Sequence, residues 1–311
     1  MTAPLDPLTS LGSHPVPAFG LFLPQMRMPY DVFERRVRAA ERAGFASVWL
    51  MDHLAPPGAQ DQPMFEAWTL ASFIAARTET IRIGHLVLCG SFRHPAVLAR
   101  MAASLDVLSG GRLELGMGWG SSDDELRQHG MYAPPRVRAA RLKETLDILR
   151  LLFTGERVSY AGEHYQLDGA ISLPTPAQAR IPVHIGGRGE KLTMPLVREY
   201  ADWWNCPIYA MAEIDQLRPL AGPARVSVQH VVALVLDEST RDQTLQLASR
   251  RYGSWGSVLG GSAQELAARF AEDAARGAEL IICQFSDFGT EETIERFGAE
   301  VVPAVAAHLG S

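Results

Sequence analysis

From Ile81 to Gly116 the chain reads IRIGHLVLCGSFRHPAVLARMAASLDVLSGGRLELG, an apolar strand, a polar turn, a helix, a glycine turn and a second strand. Ile81, Ile83, Leu86, Val87 and Leu88 make the first strand almost continuously apolar, as in a parallel strand buried on both faces. The strand halts at Cys89-Gly90-Ser91-Phe92-Arg93-His94, and Pro95 then opens a helix at a position where its missing N–H costs little. Strand, crossover helix and parallel strand form the unit of a (β/α) barrel. In such a barrel the polar turns after strands gather on the catalytic face, and Ser109-Gly110-Gly111, before the next strand, belongs to the structural face. The expected fold class is α/β, a TIM (β/α)8 barrel.

The rest of the chain keeps this rhythm. Strand one is Phe19–Leu23, followed by Pro24-Gln25 and a helix whose Phe33, Val37, Ala40 and Gly44 share one face. Strand two, Ser47–Met51, ends at Asp52-His53 and enters a proline- and glycine-rich loop over 54–63, with a helix expected over 65–76. After strand four, residues 116–125 read as a glycine-rich loop on the catalytic face, and the long helix beyond it carries Leu142, Leu146, Leu149 and Phe153 on one stripe. Residues 154–176 exceed an ordinary connection. The alternation from Val158 to Leu167 around Gly162 predicts a hairpin-like insertion between strands four and five. Strands five to eight fall at Val183–Ile185, Trp203–Asn205, Val226–Leu236 and Leu280–Phe285, with helices over 263–276 and 291–308. Residues 252–261, with four glycines, read as a mobile loop and a candidate lid. The expected organisation is a flexible tail over 1–17 and one barrel domain over 18–311.

Two turns carry candidate chemistry. Ile185-Gly186-Gly187-Arg188-Gly189-Glu190-Lys191 follows a short strand and opens a helix, so its backbone N–H groups can approach an anion at a helix N-terminus. Its spacing is neither that of a triphosphatase P-loop nor G-x-G-x-x-G. A simple chain reversal is the plain alternative. Asp52-His53 is the best acid/base candidate, because imidazole exchanges a proton near neutral pH and a neighbouring carboxylate can orient it. The plain alternative there is a hydrogen-bonded histidine at a strand end. Arg93, His94 and Arg188 are candidates to hold anionic groups. Trp203-Trp204 reads as a core pair, with Asn205 expected to face the pocket.

With 311 residues and 47% hydrophobic content the chain suffices for one barrel, and a formal net charge of −6 provides no field to gather nucleic acid or anionic lipid. Neither partner is expected. Cys89, Cys206 and Cys283 are too few and scattered for a disulfide framework, lack a CxxC pair, and read as small core hydrophobes rather than a metal trio. A reducing cytoplasm fits that usage. The stretch Met1–Pro17 lacks the apolar core and basic lead of a signal peptide, and no apolar run is long enough to span a bilayer.

Phe92-Arg93-His94-Pro95 with its helix and the run Leu105–Gly116 resembles the bacterial luciferase-like family of flavin and deazaflavin oxidoreductases. Phe19–Gln25 is similar to that family's first strand, Ala43–His53 to its second, and Pro182–Asn205 to its cofactor segment, so the likeness spans about residues 18 to 310. The resemblance implies an enzyme that takes a small-molecule substrate and passes hydride to or from coenzyme F-420. An FMN-dependent monooxygenase using reduced flavin and oxygen is the alternative, and a non-catalytic flavoprotein a third. It further implies that Asp52 and His53 face the cofactor and carry catalysis, and that Leu86-Val87 is a bulge holding a non-proline cis bond behind its ring. Leu86, Val87, Cys89, Gly118 and Trp119 are then cofactor contacts, and Gly186, Gly187, Arg188, Gly189, Glu190 and Lys191 hold its phosphate. A homodimer is usual in the family. The sequence departs from the sugar-phosphate dehydrogenase members at two points: Trp119 stands where they carry an acid taken to be catalytic, and their pocket tryptophan falls near Pro57. Glucose 6-phosphate is therefore not the expected substrate.

Overall fold

The structure is a computed structural model that describes residues 16–310. Fifteen residues of the expected tail, 1–15, and Ser311 lie outside the described residues, and Val16 already packs against the core. Eight parallel strands close a barrel: β1 (Ala18–Phe22), β2 (Ser47–Leu50), β3 (Arg82–His85), β5 (Leu113–Gly118), β8 (Val183–Gly186), β9 (Trp203–Cys206), β10 (Arg225–Leu234) and β12 (Ala278–Phe285). Closure comes from β12 pairing with β1, Phe19 opposite Ile281, and from β10 pairing with both β9 and β12.

The single strand expected over Ile81–Leu88 is broken. A cis peptide between Leu86 and Val87 separates β3 from β4 (Leu88–Cys89), and β4 pairs with the carboxyl end of β5. The expected hairpin between barrel strands four and five is present as antiparallel β6 (Val158–Ala161) and β7 (Gln166–Ala170). Glu144, on the long helix Pro135–Leu152, accepts the amides of Glu163, His164 and Tyr165 and so anchors the hairpin turn. Residues 252–261 are not the open loop expected. Gly253–Trp255 forms a 3-10 turn, and β11 (Val258–Gly261) pairs in parallel with the far end of β10, Val231 opposite Val258. The last helix runs in three consecutive pieces, Glu291–Arg296, a π turn over Phe297–Val301, and Val302–Leu309.

Two cores hold the layers together. The larger lies between strands and helices and includes Leu21, Ile83, Leu115, Leu142, Leu146 and Phe270. The smaller fills the barrel interior with Trp49, Trp203, Leu280 and Ile282, topped by Phe22 and Met51. His184 stacks on Trp203 at 5.5 Å and meets Trp49 edge-on at 4.7 Å. Its Nε2 lies 2.7 Å from Glu114 Oε2, and the other Glu114 oxygen pairs with Arg82. Burial would raise the Glu114 carboxyl, but Arg82 and His184 together hold it below the usual range.

Candidate active site

The carboxyl ends of β5 and β8 lie against Val87. Two close approaches explain the glycines there. A Cβ on Gly116 would lie 1.7 Å from the carbonyl oxygen of His85, and one on Gly118 would lie 2.6 Å from Val87 Cγ2. Only a strand without side chains at these positions can pass beneath the Leu86–Val87 bend. Leu86 and Val87 are both half-buried. Leu86 packs against the interior cluster that includes Phe22 and Met51, as do the half-buried Met26 and Met64.

Asp52, at the end of β2, is 6% exposed and its carboxylate is fully engaged. Oδ2 accepts the Cys89 amide at 2.8 Å and Arg93 Nη1 at 2.7 Å, and Oδ1 accepts Arg93 Nη2 at 3.0 Å. Arg93 also reaches Glu66 at 2.7 Å, whose side chain caps the helix Ala67–Ala75. Both of the anion-holding candidates after β4 are thus already committed, Arg93 to these carboxylates and His94 to the Ala96 amide as N-cap of the helix Pro95–Leu108. They order the turn instead of offering free cationic groups.

His53 turns the other way. Its Nδ1 lies 2.9 Å from Oε2 of Glu125, and Glu125 Oε1 accepts the amides of Leu54 at 2.7 Å and Ala55 at 3.4 Å. Glu125 is 7% exposed; burial alone would raise its carboxyl, yet the His53 ring and those amides hold it below the usual range. Sequence reading missed Glu125. Its only local signal is Ser122-Asp123-Asp124-Glu125, the spacing of a helix capping box. Ser122 does cap the helix Asp123–Gln128, but the glutamate that would return the bond is diverted to the loop after β2.

The turn after β8 opens the helix Thr193–Tyr200. Gly187 adopts φ +126° and its amide bonds Asn205 O at 3.2 Å. Among the described residues, the successive amides of Arg188, Gly189, Glu190, Lys191 and Leu192 meet no backbone or side-chain acceptor. Arg188 pairs with Glu213, and Lys191 is exposed. Trp119 ties β5 to this turn through its Nε1, 3.2 Å from Thr193 Oγ1, and the Arg138 guanidinium sits 5.1 Å from its ring. Asn205, expected to face the pocket, is 3% exposed, and its Nδ2 donates to Ser227 Oγ at 3.0 Å, a strand-to-strand bond below the mouth. Trp203 and Trp204 are both fully buried. Cys89, Cys206 and Cys283 are buried free thiols, and burial raises each thiol's pKa. No helix among the described residues is long and apolar enough to cross a membrane.

The fold and the site have counterparts in known proteins. The profile of the luciferase-like monooxygenase family matches residues 17–218. The F-420-dependent glucose-6-phosphate dehydrogenase of Amycolatopsis mediterranei (strain U-32) is 32% identical over 265 residues, 81% of this chain and 77% of its own. The F-420-dependent hydroxymycolic acid dehydrogenase of Mycobacterium tuberculosis is 32% identical over 186 residues, 60% of this chain and 51% of its own. A solved F-420-dependent secondary alcohol dehydrogenase, in complex with an F-420–acetone adduct, superposes with a TM-score of 0.80 over 93% of this chain and 99% of that one. At 19% identity the last comparison shows the shared barrel alone. The profile match and the first relative place the remaining question at the level of chemistry: the chain belongs to the luciferase-like monooxygenase family.

Proposed function

We propose that the protein is an oxidoreductase that binds coenzyme F-420 at the barrel mouth and exchanges hydride between it and a small organic substrate. The observation that carries this is a juxtaposition at one barrel end: a histidine held by a carboxylate after β2, and five acceptor-free amides after β8. Fixed N–H groups at a helix N-terminus suit a phosphate, so the turn from Gly186 to Lys191 fits the phosphate-bearing part of such a cofactor. The relatives named as F-420-dependent favour the deazaflavin over FMN. When bound, the cofactor supplies or accepts the hydride.

The protein's own residues do the rest. The amides of 188–192 and Lys191 would hold the phosphate, and Leu86 and Val87 would back the ring. Asp52 fixes the end of β4 and the turn after it through Cys89 and Arg93, and His53 exchanges a proton at Nε2 with the reacting oxygen or carbon. The substrate is read as an apolar carbonyl, hydroxyl or unsaturated compound. Support comes from the half-buried Met26, Met64 and Leu86 at the mouth, and from Trp119, whose indole N–H is spent on Thr193.

Titration of the protein with F-420 and with FMN, each followed by fluorescence quenching, tests the reading. Tight binding of F-420 with weak or no binding of FMN is expected. The reverse order would replace it with the flavin monooxygenase alternative.

A further inference from the structure

We infer that Glu125 is a positioning residue that dictates which ring nitrogen of His53 carries the proton, leaving Nε2 as a bare acceptor toward the mouth. The inference deepens the proposed reading of this site, and its central measurement needs neither cofactor nor substrate. An ionised carboxylate has only acceptors, and Glu125 is kept ionised by its three donors in spite of its burial. The atom 2.9 Å from its Oε2 must therefore be an N–H, which assigns the proton to Nδ1. Among the described residues Nε2 has no hydrogen-bond partner, and the His53 side chain keeps 28% of its exposure. A neutral ring so held accepts a proton at Nε2. Once it has done so, the imidazolium faces the Glu125 carboxylate and returns the proton from the same atom.

The anchoring of Glu125 sharpens the consequence. Its Oε1 is required by the amides of Leu54 and Ala55, which pins the carboxylate plane from the backbone. In Glu125→Gln the amide oxygen must stay with those two donors, so its NH2 group turns to His53. Nδ1 then has to accept, and the ring proton moves to Nε2. One atom's change thus inverts the nitrogen that faces the mouth from acceptor to donor, with the backbone bonds preserved. A role confined to tying the helix Asp123–Gln128 to the loop after β2 would survive this substitution, since the tie through Oε1 remains.

The test is nitrogen-15 NMR of histidine-labelled, ligand-free protein at a pH where His53 is neutral, with His53→Asn used for assignment. The wild type is expected to show the Nδ1–H tautomer and Glu125→Gln the Nε2–H tautomer, with unchanged thermal unfolding. Turnover in the direction that removes a substrate proton should fall roughly 100-fold, within the range supplied by general acid–base groups, while cofactor affinity is unchanged. An Nε2–H or mixed tautomer in the wild type overturns the inference, and this holds even if the variant does not fold. The same tautomer in both proteins also overturns it. Inversion of the tautomer without any F-420-dependent turnover would sink the cofactor reading and leave the Glu125 assignment standing.

Discussion

Arg93 meets both carboxylate oxygens of Asp52, at 2.7 and 3.0 Å, across 41 residues of chain. The fork closes the second residue after β2 onto the turn after β4, and the Cys89 amide completes it. With the Asp52 side chain 3% and the Arg93 side chain 13% exposed, removal of Arg93 leaves the buried Asp52 carboxylate without its salt-bridge partner, whereas removal of Asp52 leaves Arg93 only its pair with Glu66. Arg93→Ala is expected to cost about 3 to 5 kcal/mol. Arg93→Lys, which keeps the charge and loses the fork, should fall between. Urea unfolding measures both; a loss under about 1 kcal/mol, the range of surface pairs, would show that the fork does not hold the mouth together.

Gly187 tests the phosphate turn. Its φ of +126° disfavours any side chain, and a Cβ there would come within 3.2 Å of Thr193 Cγ2. Gly187→Val should shift the backbone leading into the free amides. Cofactor affinity is expected to fall by roughly tenfold or more, about 1.4 kcal/mol, with a local strain of about 1 to 3 kcal/mol. Unchanged affinity in a folded variant would remove the turn from the cofactor site.

His85 sets an acid limit on stability. It is fully buried, stacked on Trp68 at 5.1 Å, and burial pushes its pKa down from 6.5 to about 4, with the Asp52 carboxylate only partly opposing. The unfolded chain takes up this proton first, so stability is present above pH 6.5 and is lost as pH falls toward 4, a loss of about 3 kcal/mol. His85→Phe keeps a ring against Trp68 and should flatten that part of the stability profile. An equally steep fall in the variant would assign the acid sensitivity to other groups.

Reactivity with oxygen separates the two cofactor readings. The reaction is expected to run anaerobically with reduced or oxidised F-420 and to consume no oxygen. Product labelled from heavy oxygen gas would establish monooxygenase chemistry instead.

Glucose 6-phosphate should not be turned over with F-420, although a relative at 32% identity is named for that substrate. The resemblance implies an acid in the sugar-phosphate dehydrogenases at the position that Trp119 occupies in this chain. Appreciable turnover of the sugar phosphate would show that another group replaces it.

Much of this was legible because it is periodic or local. Apolar runs, the Pro95 helix start, the alternation at Val158–Leu167 and the glycine turn at 186–189 each depend on neighbours in sequence, and the structure has them where expected. The failures depend on partners far along the chain. Arg93 looked free because Asp52 and Glu66 lie 41 and 27 residues away, and Glu125 passed as the end of a glycine-rich loop because His53 is 72 residues distant. Residues 258–261 read as loop because glycines dominate the segment, and only the edge of β10 makes a strand of them.

The Arg82–Glu114–His184 cluster, whose His184 ring packs between Trp49 and Trp203, stoppers the barrel. The mouth is in consequence a cul-de-sac. A ligand of His53 is therefore approached from the side of the strands' carboxyl ends, because the opposite end of the barrel is filled by side chains.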